Sequence, residues 1–149
     1  MRISRRLLFS LWLAAFSLHA ADLEGYVFVN DDGSLRIRGK TVQLYGIYIP
    51  PTDDSCRSFQ RPVVCAPRAA LALEFNIGSQ FVACDILEKS ADGGLVGRCR
   101  AGDQDLAAQL LQQGWAVARP EAPIEYHTLE KLARNRGVGI WGIPIDRLR

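Results

Sequence analysis

The side chains that could do chemistry in this sequence are four cysteines, two acidic pairs, a lone histidine and a few separated polar residues. The cysteines are Cys56, Cys65, Cys84 and Cys99. They contain no C-x-x-C spacing, and the two histidines, His19 and His127, lie elsewhere, so a zinc site is a poor fit. An even number of cysteines in an exported chain points to disulfides instead. Four cysteines admit three connectivities, and the local pattern favours Cys56–Cys65 with Cys84–Cys99. With all thiols bridged, no cysteine nucleophile remains. The acidic pairs Asp31-Asp32 and Asp53-Asp54 fall in turn-forming stretches, where carboxylates ordinarily face water. His127 stands alone in a helical segment and reads as an ordinary half-exposed histidine rather than a general base.

The elements that must position these residues follow from periodicity and turn chemistry. Gly25 to Pro51 reads as three short strands, reversed at Asn30-Asp31-Asp32-Gly33 and at Gly39-Lys40. Pro51 to Val64 is a loop. A helix follows from about Ala66 to Ile77, with Ala69, Ala70, Leu73 and Ile77 on its apolar face and Gly78 as its stop. Gln80 to Glu88 and Leu95 to Ala101 form a hairpin around Asp92-Gly93-Gly94. Pairing Cys84 with Cys99 puts the reversal between Ala91 and Asp92, so register and cysteines agree. Asp103 is placed to cap a second helix carrying Leu106, Leu110 and Leu111, ended by Gly114. Trp115 to Ala118 is extended. A third helix runs from about Pro123 to Arg136, with Glu130 and Arg134 as an i,i+4 pair. Trp141 is expected to fold back against the barrel. Strands, helix, two strands and terminal helices make an α+β chain: a mainly β, five-stranded Greek-key barrel of the OB type with about three helices.

The first twenty residues are set apart. A basic start, an apolar run from Leu7 to Leu18 and the small residues around Ala20 predict a cleaved signal peptide over 1–20 and one mature domain over 21–149. Ser4-Arg5-Arg6 before Leu7-Leu8-Phe9 also suits the twin-arginine route. The apolar run is too short to span a bilayer, so no membrane span is expected after cleavage, and the destination is the periplasm or the exterior. Loss of Arg2, Arg5 and Arg6 takes the formal charge from +2 to −1. A polyanion-gripping domain carries a basic excess, so this balance weighs against nucleic acid as the partner.

Several short runs resemble the staphylococcal nuclease (thermonuclease) family. That family opens its barrel with Asp-Gly-Asp-Thr-Leu and Arg-Leu-x-Gly-Ile-Asp-x-Pro-Glu. The matching runs here are Asp32-Gly33-Ser34-Leu35 and Gln43-Leu44-Tyr45-Gly46-Ile47-Tyr48-Ile49-Pro50-Pro51. Later marks are Gly97-Arg98, Asp105-Leu106, Leu110 through Gly114-Trp115-Ala116, Glu130 with Ala133-Arg134, and Gly139-x-Trp141. The resemblance runs from Gly25 to Trp141.

What the resemblance implies about chemistry is largely negative. Family nucleases hold calcium between carboxylates, orient water with a glutamate and stabilise the phosphorane with two arginines. The metal aspartates fall on Gly33 and Tyr48, the first arginine on Gln43 and the glutamate on Pro51. Arg98 alone is retained, and the neighbouring aromatic of the family is Val96. Loss of one transition-state donor costs about 10²–10³ in rate, so this degenerate set is expected to be inactive. The expectation is therefore a cofactor-free binding module for an unknown ligand or protein partner, with Gln43, Tyr48 and Arg98 as ligand-binding residues and no metal site. Tyr45 is the alternative to Tyr48 as the tyrosine of that face. The alternative is a calcium-dependent phosphodiesterase with Asp53 or Asp54 moved into the site. Asp32, one residue off the missing aspartate, is expected to point away from the cleft.

Overall fold

A computed structural model of the chain describes residues 21–50, 57–58, 61–62, 65–89 and 93–142. The segment Leu23 to Val29 forms two short strands, β1 (Leu23–Gly25) and β2 (Val27–Val29), separated at Tyr26. The sequence pattern places the start of this strand two residues late. Strands β3 (Leu35–Ile37), β4 (Lys40–Leu44) and β5 (Ile47–Tyr48) follow. Two-residue strands β6 (Arg57–Ser58) and β7 (Arg61–Pro62) pair with each other. Helix α1 (Cys65–Ile77) leads into the hairpin strands β8 (Val82–Lys89) and β9 (Leu95–Ala101). Then come β10 (Gln104–Asp105), α2 (Leu106–Gln113), β11 (Val117–Ala118), α3 (Ile124–Arg136) and a 3₁₀ turn over Gly139–Trp141.

The main sheet runs β1-β8-β9-β4-β3-β2. Because β1 and β2 are consecutive in the chain, this order bends round on itself into a nearly closed barrel. All its pairings are antiparallel except β4 with β9, where Gln43 faces Val96 and Leu44 faces Gly97. That parallel step, with three helices outside, is the OB-type barrel expected from the element order. Gly97 sits where β4, β8 and β9 crowd together: a β-carbon there would lie 2.9 Å from the Asp85 carbonyl oxygen. Alternation along the strands turns Leu35, Ile37, Val42 and Val82 wholly inward.

Cys84 and Cys99 face each other across the hairpin and are joined, with Cα atoms 4.1 Å apart. A register shift near Leu87 moves the remaining pairs by one residue, to Glu88 with Val96 and Lys89 with Leu95. The expected Cys56–Cys65 bridge lies outside the described residues, as do Pro51, Asp53 and Asp54. The 1–20 segment also lies outside them. Among the described residues no helix is long and apolar enough to cross a membrane.

The helices bury the faces read from their periodicity. Ala69, Ala70, Leu73 and Ile77 of α1 and Leu106, Ala107, Leu110 and Leu111 of α2 enter the same core as the barrel. Asn76 and Gln113 exchange side-chain amide hydrogen bonds at 3.2 and 3.0 Å, tying α1 to α2. The cap of α2 is Asp105, not Asp103. Its Oδ1 accepts from the Ala107 and Ala108 amides at 2.9 and 3.1 Å. The chain turns at Gly102-Asp103 and pairs β10 with β9 before the helix can start, which delays the cap by two residues. Trp141 does not reach the barrel. It packs with Trp115, Val117 and Ile140 in a satellite cluster and lies under the Arg134 guanidinium, 4.0 Å from the ring centroid. The Ile140 amide bonds to the Gly114 carbonyl at 2.9 Å, which holds this turn against the end of α2.

Candidate functional site

One wall of the candidate cleft is the turn between β2 and β3. The Asn30 amide donates to the Ser34 carbonyl and the Gly33 amide to the Asn30 carbonyl, both at 2.9 Å. Asp32 Oδ1 accepts from the Ser34 amide at 2.9 Å and the Ser34 hydroxyl at 2.6 Å, an Asx-type closure. Gly33 takes φ +79°, the left-handed region where a side chain is strained. The opposite wall is β5, paired with β11 so that Tyr48 faces Val117 and Ile47 faces Ala118.

Two buried groups of α3 hold that wall. Glu130 Oε2 accepts the Ala118 amide at 2.7 Å, while its Oε1 accepts from Arg134 Nε at 2.7 Å. This keeps the expected i,i+4 pair and gives its acid a second task. The Tyr126 ring lies under the Gly46 turn, within 3.1 Å of where a β-carbon would project. The Tyr126 hydroxyl donates to Asp105 Oδ2 at 2.7 Å, linking the wall to the cap of α2. Burial, then the hydrogen bond and the negative charge of Asp105, push the Tyr126 phenol well above the ordinary tyrosine value.

Between the walls lies a depression of about 220 Å³ that brings together Gly33, Gln43 and Tyr48 with Asp32, Ser34 and Arg119 over an apolar floor of Leu44, Ile47 and Ile49. Gln43 and Tyr48 are exposed there, Tyr48 by 46 %. Neither Tyr45 nor Arg98 lines this depression; Arg98 is exposed on β9 and forms no ion pair among the described residues. Asp32 does line it, contrary to expectation. It belongs to a turn rather than to a strand, so strand alternation does not set its direction.

Arg119 is the cleft residue that sequence reasoning misses. Its amide donates to the Gly46 carbonyl and its Nε to the Ile47 carbonyl, each at 2.9 Å. The guanidinium has no carboxylate partner among the described residues. No local signal marks it: it follows an ordinary short apolar run and reaches the cleft only through the long-range β5–β11 pair.

The donor set does not suit calcium, which wants several hard oxygens. Gly33 offers no side chain, and Ile49 Cδ1 fills the space one would need. Tyr48 offers a phenol and Gln43 an amide. Among the described residues no three His, Cys, Asp or Glu side chains converge as a metal site. What the depression does present is neutral and cationic hydrogen-bond donors with the single carboxylate of Asp32 above an apolar floor, a mixed set suited to recognition. Comparison with known proteins finds no matching family model and no significantly similar curated sequence.

Proposed function

We propose that this chain is an exported binding module on a nuclease-like OB barrel, using the cleft between the Gly33 turn and β5 to hold a ligand or a protein partner without hydrolysing it. The observation that carries this reading is Ile49 lying in the space of a side chain at residue 33. The corner where the resemblance implies a metal carboxylate is occupied by the end of the Ile49 side chain and offers no oxygen ligand from residue 33. Export is supported by the basic and apolar character of the first twenty residues, together with the Cys84–Cys99 bridge, which suits an oxidising compartment. Tyr48 supplies an amphipathic face of the kind that anchors interfaces, and Arg119 and Gln43 supply directional donors.

The test is a partner and ligand screen on the oxidised protein, followed by Tyr48→Ala and Arg119→Ala. An anchor loses about 2 kcal/mol of binding or more on truncation, with little change in melting temperature. If both variants bind as the parent does, the cleft is not the working surface.

A further inference from the structure

The two charged groups of the cleft belong to opposite walls. Among the described residues that line it, only Asp32 and Arg119 carry a charge. Asp32 lies in the β2–β3 turn, whereas Arg119 directly follows β11. They do not pair with each other, and neither forms an ion pair with another described residue. Each is fixed by one part of its polar head and leaves the rest open. Asp32 commits Oδ1 to the Ser34 amide and hydroxyl, and its Oδ2 has no partner among the described residues. Arg119 commits Nε to the Ile47 carbonyl, and its two terminal nitrogens have no partner among the described residues. Asp31 and Glu121, close to them in sequence, and Arg98 on β9 are exposed and do not line the depression.

This pair of charges discriminates between ligands. The open edge of a guanidinium matches a carboxylate through two parallel hydrogen bonds. A phosphate dianion would gain Arg119 but also face Asp32, with no second cation lining the depression. A purely cationic ligand meets the reverse conflict at Arg119. A small zwitterion satisfies both walls at once. Beneath them Leu44, Ile47 and Ile49 offer apolar surface for a hydrocarbon group. The Gln43 amide and the Tyr48 phenol can take up the protons and lone pairs left over. The volume, about 220 Å³, lies below the range of about 300–1,000 Å³ typical of pockets for drug-sized ligands. It suits a ligand the size of one amino-acid residue.

We infer that the cleft binds a free α-amino acid with an apolar side chain, its carboxylate on Arg119 and its ammonium group on Asp32. The inference rests on the binding-module reading and narrows it to one ligand class. The oxidised protein is titrated by calorimetry with L-leucine, L-methionine and L-valine. Leucine amide, which lacks the carboxylate, and N-acetyl-leucine, which lacks the ammonium group, test the two ends of the ligand. Inorganic phosphate and adenosine monophosphate are the comparison probes. The expected result is saturable binding of at least one of the three amino acids. Loss of either charged group from the ligand weakens it about tenfold or more. Arg119→Gln removes the preference for leucine over its amide, and Asp32→Asn removes the preference for leucine over N-acetyl-leucine. A merely structural role would weaken all three ligands alike. Asparagine keeps an Oδ1 for the turn, and Arg119→Lys, which keeps the charge without the fork, should retain part of the preference for a carboxylate. Absence of binding by all three amino acids at millimolar concentration overturns the inference. So does equal binding of leucine and its two derivatives, or amino-acid binding that survives both Arg119→Gln and Asp32→Asn. Binding of phosphate or adenosine monophosphate in place of the amino acids overturns it too. A different ligand that is lost in Tyr48→Ala and Arg119→Ala would overturn the amino-acid assignment while leaving the binding-module reading standing.

Discussion

The Cδ1 atom of Ile49 lies over Gly33, in the space that any side chain at residue 33 would have to enter. Gly33 is also in the left-handed region, at φ +79°. Sterics and backbone conformation therefore act together against an aspartate at this position. Gly33→Asp is expected to lower stability by about 1 kcal/mol, the scale of a strained left-handed residue, with the Ile49 methyl swinging aside. Chemical denaturation measures this. Calcium titration of the same variant should show no gained binding, because position 48 still offers a phenol where a second carboxylate would be needed.

The Cys84–Cys99 bridge is buried in the core and closes a hairpin whose ends are 15 residues apart. Removing it by Cys84→Ser with Cys99→Ser should cost about 3 kcal/mol, from the chain-entropy effect of the crosslink. Two buried hydroxyls in place of sulfur add to this. Thiol titration of the folded, unreduced parent should find no free thiol, with Cys56 joined to Cys65. Two titratable thiols would remove the second bridge from the account.

These two sites also mark how far the sequence is readable. The hairpin register follows from local facts: an Asp-Gly turn midway between two cysteines on strands of alternating pattern. The absence of a carboxylate at Gly33 is equally plain in the letters. That Ile49 fills the space beside it is not, because it depends on how the residue after β5 packs against a turn sixteen positions earlier. Arg119 is hidden for the same reason, and Asp32 lines the cleft against expectation because strand alternation does not carry over into a turn. The capping error is local in origin. Asp103 and Asp105 are both competent caps, and only the β10–β9 pairing selects Asp105.

Tyr126 gives a pH signature. Its phenol titrates above the ordinary tyrosine value in the folded protein, owing first to burial and then to Asp105. The folded state thus holds this proton more tightly than the unfolded chain, and the associated stability is complete below about pH 10 and lost above it. Tyr126→Phe should cost about 1 kcal/mol at neutral pH through the lost hydrogen bond to Asp105. The gap between parent and variant should narrow as the pH is raised beyond 10. A gap that stays constant across that range would mean that the hydroxyl is not held in this way.

Glu130 ties α3 to the wall that carries Tyr48. Glu130→Ala leaves the Ala118 amide without its acceptor and should destabilise the protein by about 1–3 kcal/mol. Amide hydrogen exchange should rise selectively over Ile47, Tyr48, Val117 and Ala118, the β5–β11 pair. Exchange that rises uniformly would show that Glu130 supports the whole domain and not this wall in particular.

The claim that the cleft recognises without hydrolysing is tested most directly by incubating the purified, oxidised protein with single-stranded DNA and RNA at alkaline pH in millimolar calcium. The account predicts no cleavage above a chelator-treated control, since Gly33, Gln43 and Tyr48 offer neither a carboxylate for a metal nor a guanidinium for a phosphate. Cleavage that is abolished by chelator and by Asp53→Asn or Asp54→Asn would contradict it and make the chain a calcium-dependent phosphodiesterase.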